Sequence, residues 1–103
     1  MKRVKRRYLA VKLDCEVSPT DREFIDAVWA AVTRLYGEVG ASQTSLSMID
    51  FDDTRQIAVL KVSLATLDMV RASLASVTGV AGKPCSLRVL SVSGTLKALS
   101  SSA

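Results

Sequence analysis

The sequence predicts one α/β domain whose elements follow the order β-α-β-β-α-β. Three features favour this class: stretches in which apolar and polar residues alternate, two segments with apolar residues at helical spacing, and clusters of turn residues between them. A chain of 103 residues, of which 49% are apolar, is long enough for a single domain with a buried core. We therefore expect a folded body at residues 8–99, a basic arm at residues 1–7 and a frayed tail at residues 100–103.

The first strand and the first helix are the clearest elements. From Leu9 to Val17 every second side chain is apolar, which predicts a strand with one buried face. Ser18 is a suitable helix N-cap and Pro19 suits the first helical position, so we expect a helix to begin there. Gly37 is a suitable left-handed C-cap, which places the end of this helix.

The second half of the chain contains a hairpin, another helix and a last strand. The predicted elements are strands at residues 45–51, 56–63 and 85–93, a helix at residues 66–78 and a short helical turn at residues 96–99. The polar residues from Asp52 to Arg55 are typical of a hairpin turn. Gly79 and the Gly82-Lys83-Pro84 segment are expected to end the second helix.

This element order is that of the ferredoxin-like or RRM-like fold, in which two helices cover one face of a four-stranded antiparallel sheet. The first and last strands are neighbours in that sheet, and the register that buries paired side chains on both strands has residue numbers that sum to 100. It pairs Cys15 with Cys85, Leu13 with Leu87 and Val11 with Val89. Opposed cysteines lie within disulfide range, although reduced thiols are the default in the cytoplasm.

The other face of the predicted sheet is exposed and carries few aromatic side chains. The strand at residues 56–63 has none and Tyr8 lies at the edge of the first strand, so stacking of RNA bases on this face is disfavoured. Apolar and basic residues share this outer face: Ile57, Val59, Leu90, Val92, Lys12, Lys61 and Arg88. Such an apolar group requires a cover or a partner, and Leu96 and Leu99 are candidates for part of the cover.

The positive charge of the chain is concentrated at its N-terminus. The net charge is +4, and five of the 14 basic residues are among the first seven: Lys2, Arg3, Lys5, Arg6 and Arg7. Residues 8–103 hold nine basic and ten acidic side chains. An arm of this kind is typical of nucleic-acid binding, and the alternative is a solubilising tail.

A second candidate binding site consists of Ser93, Gly94, Thr95 and Lys97. Ser and Thr on either side of a glycine, between a strand and a helix, leave backbone amides that suit a phosphate. The alternative is simple capping of the terminal helical turn. Antiparallel pairing places the end of the last strand beside the start of the first, so we expect this segment and the basic arm to form one nucleic-acid-binding surface.

The residue inventory argues against catalysis by the chain itself. The absence of histidine removes His-based acid/base catalysis, Ser–His and Cys–His nucleophiles and His-containing zinc sites. Asp50, Asp52 and Asp53 are hairpin-turn acids, which are more often solvated than bound to magnesium. We therefore expect neither catalytic nor metal-ligating residues. Because no apolar run is long enough for a membrane span or a secretory signal, the expected location is the cytoplasm.

A family resemblance runs through nearly the whole chain. The segment Leu87–Leu99, LRVLSVSGTLKAL, closely resembles the C-terminal signature of the archaeal ribonuclease P protein component 2 family, which belongs to the eukaryotic-type ribonuclease P/MRP protein subunits. Three further segments match the same family in the same order: RRYLAVKL at Arg6–Leu13, LYGEVGAS at Leu35–Ser42 and AVLKV at Ala58–Val62. The tail after Leu99 is shorter than the more basic tails of some relatives.

The resemblance implies an RRM-like fold within a multi-subunit ribonucleoprotein. Family members pair with a second ribonuclease P protein and help the catalytic RNA remove the 5′ leader from precursor tRNA, and magnesium belongs to the RNA active site. The chain is then expected to bind ribonuclease P RNA and no cofactor of its own. Two alternatives remain open. One is an autonomous single-stranded RNA-binding module. The other is a small-molecule-binding regulatory domain or an acylphosphatase-like hydrolase, which would need an asparagine that this chain lacks.

Overall fold

The computed structural model describes residues 5–97, which form five strands and two helices. The elements in chain order are β1 Arg6–Cys15, α1 Asp21–Ser42, β2 Ser47–Asp52, β3 Ile57–Ser63, α2 Leu67–Ser76, β4 Gly79–Val80 and β5 Lys83–Ser93. A 3-10 turn at Leu64–Thr66 leads into α2. Lys2, Arg3, Leu99 and the predicted tail at residues 100–103 lie outside the described residues.

The sheet has the strand order β2-β3-β1-β5-β4, and every neighbouring pair is antiparallel. The predicted class and the pairing of the first strand with the last are confirmed, but the predicted count of four strands is wrong. The fifth strand is β4, which pairs with the start of β5. Ala81 and Gly82 between them have φ values of 54° and 79°. Two consecutive left-handed residues make the tight turn that two-residue hairpins favour, so the segment after α2 forms a hairpin.

The predicted register between β1 and β5 is confirmed from Val11 to Cys15. Cys15 lies opposite Cys85, and their sulfur atoms are joined in a disulfide. Before Val11 the register shifts by one residue, because Leu90 forms a bulge in β5. Val92 consequently lies opposite Leu9 and packs against the core. The predicted position of Val92 on the outer face is therefore wrong.

The predicted limits of α1 are wrong at both ends. Thr20, not Ser18, is the N-cap: its hydroxyl accepts the Glu23 amide hydrogen at 3.1 Å, and the Glu23 carboxylate accepts the Thr20 amide hydrogen at 2.8 Å. This reciprocal pair is a capping box, which satisfies two amides that would lack a helical partner. At the other end Gly37 has the predicted positive φ, 77°, but the helix resumes beyond it and continues to Ser42. Gly37 therefore kinks the helix.

Both helices pack on the same face of the sheet and enclose one core. The largest fully buried side chains are Phe24, Val28 and Val32 of α1, Val70 and Leu74 of α2, Leu9, Val11 and Leu13 of β1, and Leu60 and Val62 of β3. The alternating residues of β1 and β3 therefore point to the helices, as the period-two pattern predicts. The other sheet face remains available for binding.

Candidate nucleic-acid interface

The start of β1 and the end of β5 meet at one end of the sheet. Tyr8 of β1 pairs with Ser93 of β5, so the residues before Tyr8 lie beside those after Ser93. Arg6 and Arg7 are the first residues of β1, and their backbone belongs to the strand instead of a separate arm. The Lys5 carbonyl accepts the Leu64 amide hydrogen at 2.8 Å, which holds that backbone beside the 3-10 turn.

Arg7 lies directly against Gly94. A Cβ atom added at Gly94 would lie 3.5 Å from Nη1 of Arg7, and the same nitrogen donates a hydrogen bond to the Arg6 carbonyl at 2.9 Å. The guanidinium is therefore folded over a position that has no side chain. The basic N-terminus and the Ser93-Gly94-Thr95 segment, both predicted from the sequence to bind nucleic acid, are therefore adjacent.

The Ser93-Gly94-Thr95 segment forms a local turn. The Thr95 amide donates to the Ser93 hydroxyl at 3.3 Å, so this amide already has a partner within the segment. That contact fits the alternative of local capping. Gly94, Thr95 and Lys97 are exposed, and Leu96 and Lys97 have helical backbone. The segment therefore presents a turn and one cation beside Arg7.

Four basic side chains lie on the open sheet face, opposite the face on which Arg7 meets Gly94. By alternation from the buried residues of β1, the strand directs Arg6, Tyr8 and Lys12 away from the helices. Tyr8 pairs with Lys61 on one side, and Lys12 pairs with Arg88 on the other. Sequence reasoning placed Lys12, Lys61 and Arg88 on this face but left them out of the binding site. The signal that groups them with Arg6 is the antiparallel register.

Two bulges expose apolar side chains on the same face. Ile49 of β2 and Leu90 of β5 are the extra residues at their register shifts, and they are 40% and 44% exposed. Val59 is half-buried in the strand between them. Leu96, a predicted cover for this group, is itself 38% exposed, and Leu99 lies outside the described residues.

Two of the three hairpin acids, Asp52 and Asp53, accept hydrogen bonds within the turn. The Asp52 carboxylate accepts the Arg55 amide hydrogen at 3.1 Å, which closes the turn between β2 and β3. Within residues 5–97 no three metal-binding side chains are grouped closely enough to hold an ion. In the same range no helix is long and apolar enough to cross a membrane.

Sequence comparison relates the chain to archaeal proteins along most of its length. Residues 7–103 match the Rpp14/Pop5 family. Ribonuclease P protein component 2 of Pyrococcus furiosus is 34% identical over 97 residues, which cover 94% of this chain and 81% of that protein. Ribonuclease P protein component 2 of Methanosarcina mazei is 33% identical over 95 residues, which cover 92% of this chain and 80% of that protein.

Structural comparison agrees on the fold. A chain in the cryo-EM structure of yeast ribonuclease MRP superposes with a TM-score of 0.74 at 19% identity, covering 93% of this chain and 79% of that one. At this identity the likeness concerns the fold alone. The sequence matches carry the family assignment: the chain is a member of the Rpp14/Pop5 family.

Proposed function

We propose that this chain is a protein subunit of ribonuclease P that binds the catalytic RNA and supports removal of the 5′ leader from precursor tRNA. The observation that carries the proposal is the contact of Arg7 with Gly94, which joins the basic N-terminus and the glycine turn in one surface. The names of the archaeal relatives support the same assignment.

The two parts of this surface contribute differently to RNA binding. Lysine and arginine side chains neutralise phosphates, and this term dominates affinity and is weakened by salt. Contacts from fixed backbone and from side chains on a rigid strand set the register of the RNA on the protein. Arg6 and Arg7 combine both roles because they are cationic and belong to β1. Arg6 shares the open sheet face with Lys61 and Tyr8, whereas Arg7 lies on the helix face beside Gly94.

Catalysis is assigned to the RNA in this proposal. The chain has no histidine to act as a general base, and its hairpin carboxylate Asp52 is engaged in a turn. Magnesium ions would be held by the RNA, as the family resemblance implies. We propose that the chain also binds a second ribonuclease P protein. It would contact precursor tRNA only as part of the assembled complex. The proposed location is the cytoplasm.

Reconstitution of the complex tests the proposal. Ribonuclease P RNA and its companion proteins are assembled with and without this chain, and the rate of precursor tRNA cleavage is measured. We expect the chain to raise the rate and the Arg6→Ala/Arg7→Ala variant to raise it less. The matched control is Arg22→Ala/Arg55→Ala, because both arginines are exposed at the opposite end of the sheet. Metal-dependent cleavage by the purified chain alone, abolished by Asp50 or Asp52 substitution, would overturn the proposal.

An autonomous single-stranded RNA-binding module is the second candidate. Tyr8 favours it, because the residue lies on the central strand β1 between Lys61 and Ser93, where a base can stack beside a cation. Tight, partner-independent binding of the isolated chain to single-stranded RNA, lost in Tyr8→Ala, supports this candidate. Binding that requires the companion proteins supports the subunit.

A further inference from the structure

The outer edge of β5 is largely unpaired. β4 is the strand next to it on that side, and it pairs only with Lys83 and Pro84. From Leu87 to Val89 no strand among residues 5–97 covers the edge. An uncovered strand edge presents backbone donors and acceptors to any extended chain that can pair with it.

At this edge, Leu87 and Val89 direct their backbone N–H and C=O groups away from β1. The Cys85 amide donates to the Thr78 carbonyl at 3.1 Å, on the β4 side and away from β1. The Cα atoms of Cys15 and Cys85 are 4.4 Å apart, the separation typical of an opposed pair without mutual hydrogen bonds. The register is unbroken up to Val89. By alternation Leu87 and Val89, like Cys85, present N–H and C=O groups at the open edge.

An apolar groove lies beside the open edge on the helix face. The groove has a volume of about 410 Å³ and is lined by Arg71, Leu74 and Ala75 of α2 and by Leu87, Arg88 and Val89 of β5. Its floor is apolar, since Leu74 is buried and Leu87 is only 8% exposed. An added strand that pairs with Leu87 and Val89 would direct alternate side chains into this groove.

The rim of the groove is positively charged. Arg71 and Arg88 are exposed, and neither guanidinium forms an ion pair or hydrogen bond with a described residue. Arg88 lies on the outer face opposite Lys12 of β1, whose ammonium donates to the Leu13 and Arg55 carbonyls at 3.2 and 3.0 Å. The Arg88 guanidinium therefore remains open to an anion at this edge.

We infer that the Leu87–Val89 edge of β5 binds an extended segment of a partner protein as an added strand. Its alternate apolar side chains enter the groove and its intervening acidic side chains lie on the outer face beside Arg88, while Arg71 adds positive charge at the mouth of the groove. Backbone pairing supplies affinity in this mode of recognition, and the alternate side chains supply specificity. The bulge at Leu90 limits regular pairing to a few residues, so the acidic contacts decide which segment binds. The backbone pairing at Leu87 and Val89 is independent of RNA binding, and Arg88 borders both this edge and the positive sheet face.

A second copy of the chain is a poor occupant of this edge. Antiparallel pairing of two β5 edges about Arg88 would bring the Arg88 side chains of both copies together. Such a juxtaposition is repulsive, whereas an acidic segment is complementary to it. The charge therefore favours a different chain over self-association.

An NMR titration with a model peptide tests the inference. The full-length chain, labelled with ¹⁵N, is titrated with acetylated and amidated Glu-Val-Glu-Val-Glu-Val. We expect slower hydrogen exchange of the Leu87 and Val89 amides and chemical-shift changes along the Arg71–Ala75 side of α2. The same peptide with lysine in place of glutamate, or with alternate amides N-methylated, is expected to produce neither effect.

Two variants separate backbone pairing from charge. Val89→Pro removes one outward N–H, and proline is tolerated at an edge position whose N–H is not used within the sheet. Arg71→Glu/Arg88→Glu reverses the rim charge and is expected to weaken peptide binding by about tenfold or more. The matched control, Arg22→Glu/Arg55→Glu, makes the same charge change away from the edge and should bind normally.

Three outcomes would overturn the inference. The first is unchanged hydrogen exchange of the Leu87 and Val89 amides when the peptide is present at a concentration on the order of millimolar, which would saturate all but the weakest specific complexes. The second is binding that Val89→Pro and the double charge reversal leave unchanged. The third is concentration-dependent self-association of the chain that protects the same two amides, because the edge would then pair with its own copy.

Discussion

Cys15 and Cys85 face each other across β1 and β5 with their Cα atoms 4.4 Å apart, and their sulfur atoms form a disulfide that closes a 70-residue separation. Closing so long a loop restricts the unfolded chain, and removal of such a bond lowers the free energy of unfolding by about 2–4 kcal/mol. We therefore expect reductant to shift the urea unfolding midpoint of the full chain downward.

The control for this prediction is the Cys15→Ser/Cys85→Ser variant. Its unfolding midpoint should be low and should not respond to reductant, because no bond remains to be reduced. Equal midpoints for the oxidised and reduced wild-type chain would show that the bridge does not contribute to stability.

The side chain of Gln56 is expected to stabilise the end of β1. Its amide nitrogen donates to the Cys15 carbonyl at 3.1 Å, and its amide oxygen accepts the Cys15 N–H at 3.2 Å. The side chain thus supplies the hydrogen bonds of a neighbouring strand just before the first residue of β3. Gln56→Ala should lower the free energy of unfolding by about 1–2 kcal/mol, measured by urea denaturation. The comparison is Gln43→Ala, since Gln43 is exposed and should give no comparable loss.

Basic residues at the N-terminus are expected to determine the salt dependence of RNA binding. Because Arg6 and Arg7 belong to β1, deletion of residues 1–7 would also remove strand residues, and alanine substitutions are the cleaner test. Replacing Lys2, Arg3 and Lys5 by alanine should weaken binding to ribonuclease P RNA and reduce the slope of log affinity against log salt by about 0.7–0.9 per lost phosphate contact. The slope is measured by filter binding at several salt concentrations. Unchanged affinity and slope would identify the N-terminus as a solubilising tail.

Substitution of Gly94 is expected to act through Arg7. Alanine fits, since its Cβ would lie at an ordinary contact distance of 3.5 Å from Nη1 of Arg7, whereas leucine would displace the guanidinium. We expect Gly94→Leu to impair assembly of the reconstituted complex with little change in the salt slope, and Gly94→Ala to assemble normally. Assembly is measured by native gel mobility shift. Equal behaviour of the two variants would show that the Arg7–Gly94 contact has no role in binding.

The elements that were predicted correctly are those whose sequence pattern lies within the element itself. The alternation from Leu9 to Leu13 reports a half-buried strand because successive side chains of a strand point to opposite faces. The Cys15–Cys85 register was predicted as well, because it pairs inward-facing residues on both strands. The helix start could not be placed from Ser18 and Pro19 alone. The adjacent Thr20 and Glu23 satisfy each other's amides and thereby fix it.

The sequence by itself determined the class of the fold, the neighbouring positions of the first and last strands, and the concentration of positive charge at the N-terminus. These follow from periodicity and composition, which are local properties of the chain. Only the tertiary structure decided that Leu90 bulges and turns Val92 inward, that a fifth strand forms, and that Arg7 rests on Gly94. The bulge and the Arg7–Gly94 contact depend on the relative placement of β1 and β5, which are distant in sequence and where one extra residue reverses the face that a side chain occupies. The fifth strand forms through a two-residue turn in which Ala81 has a positive φ, a conformation that an alanine does not indicate in the sequence.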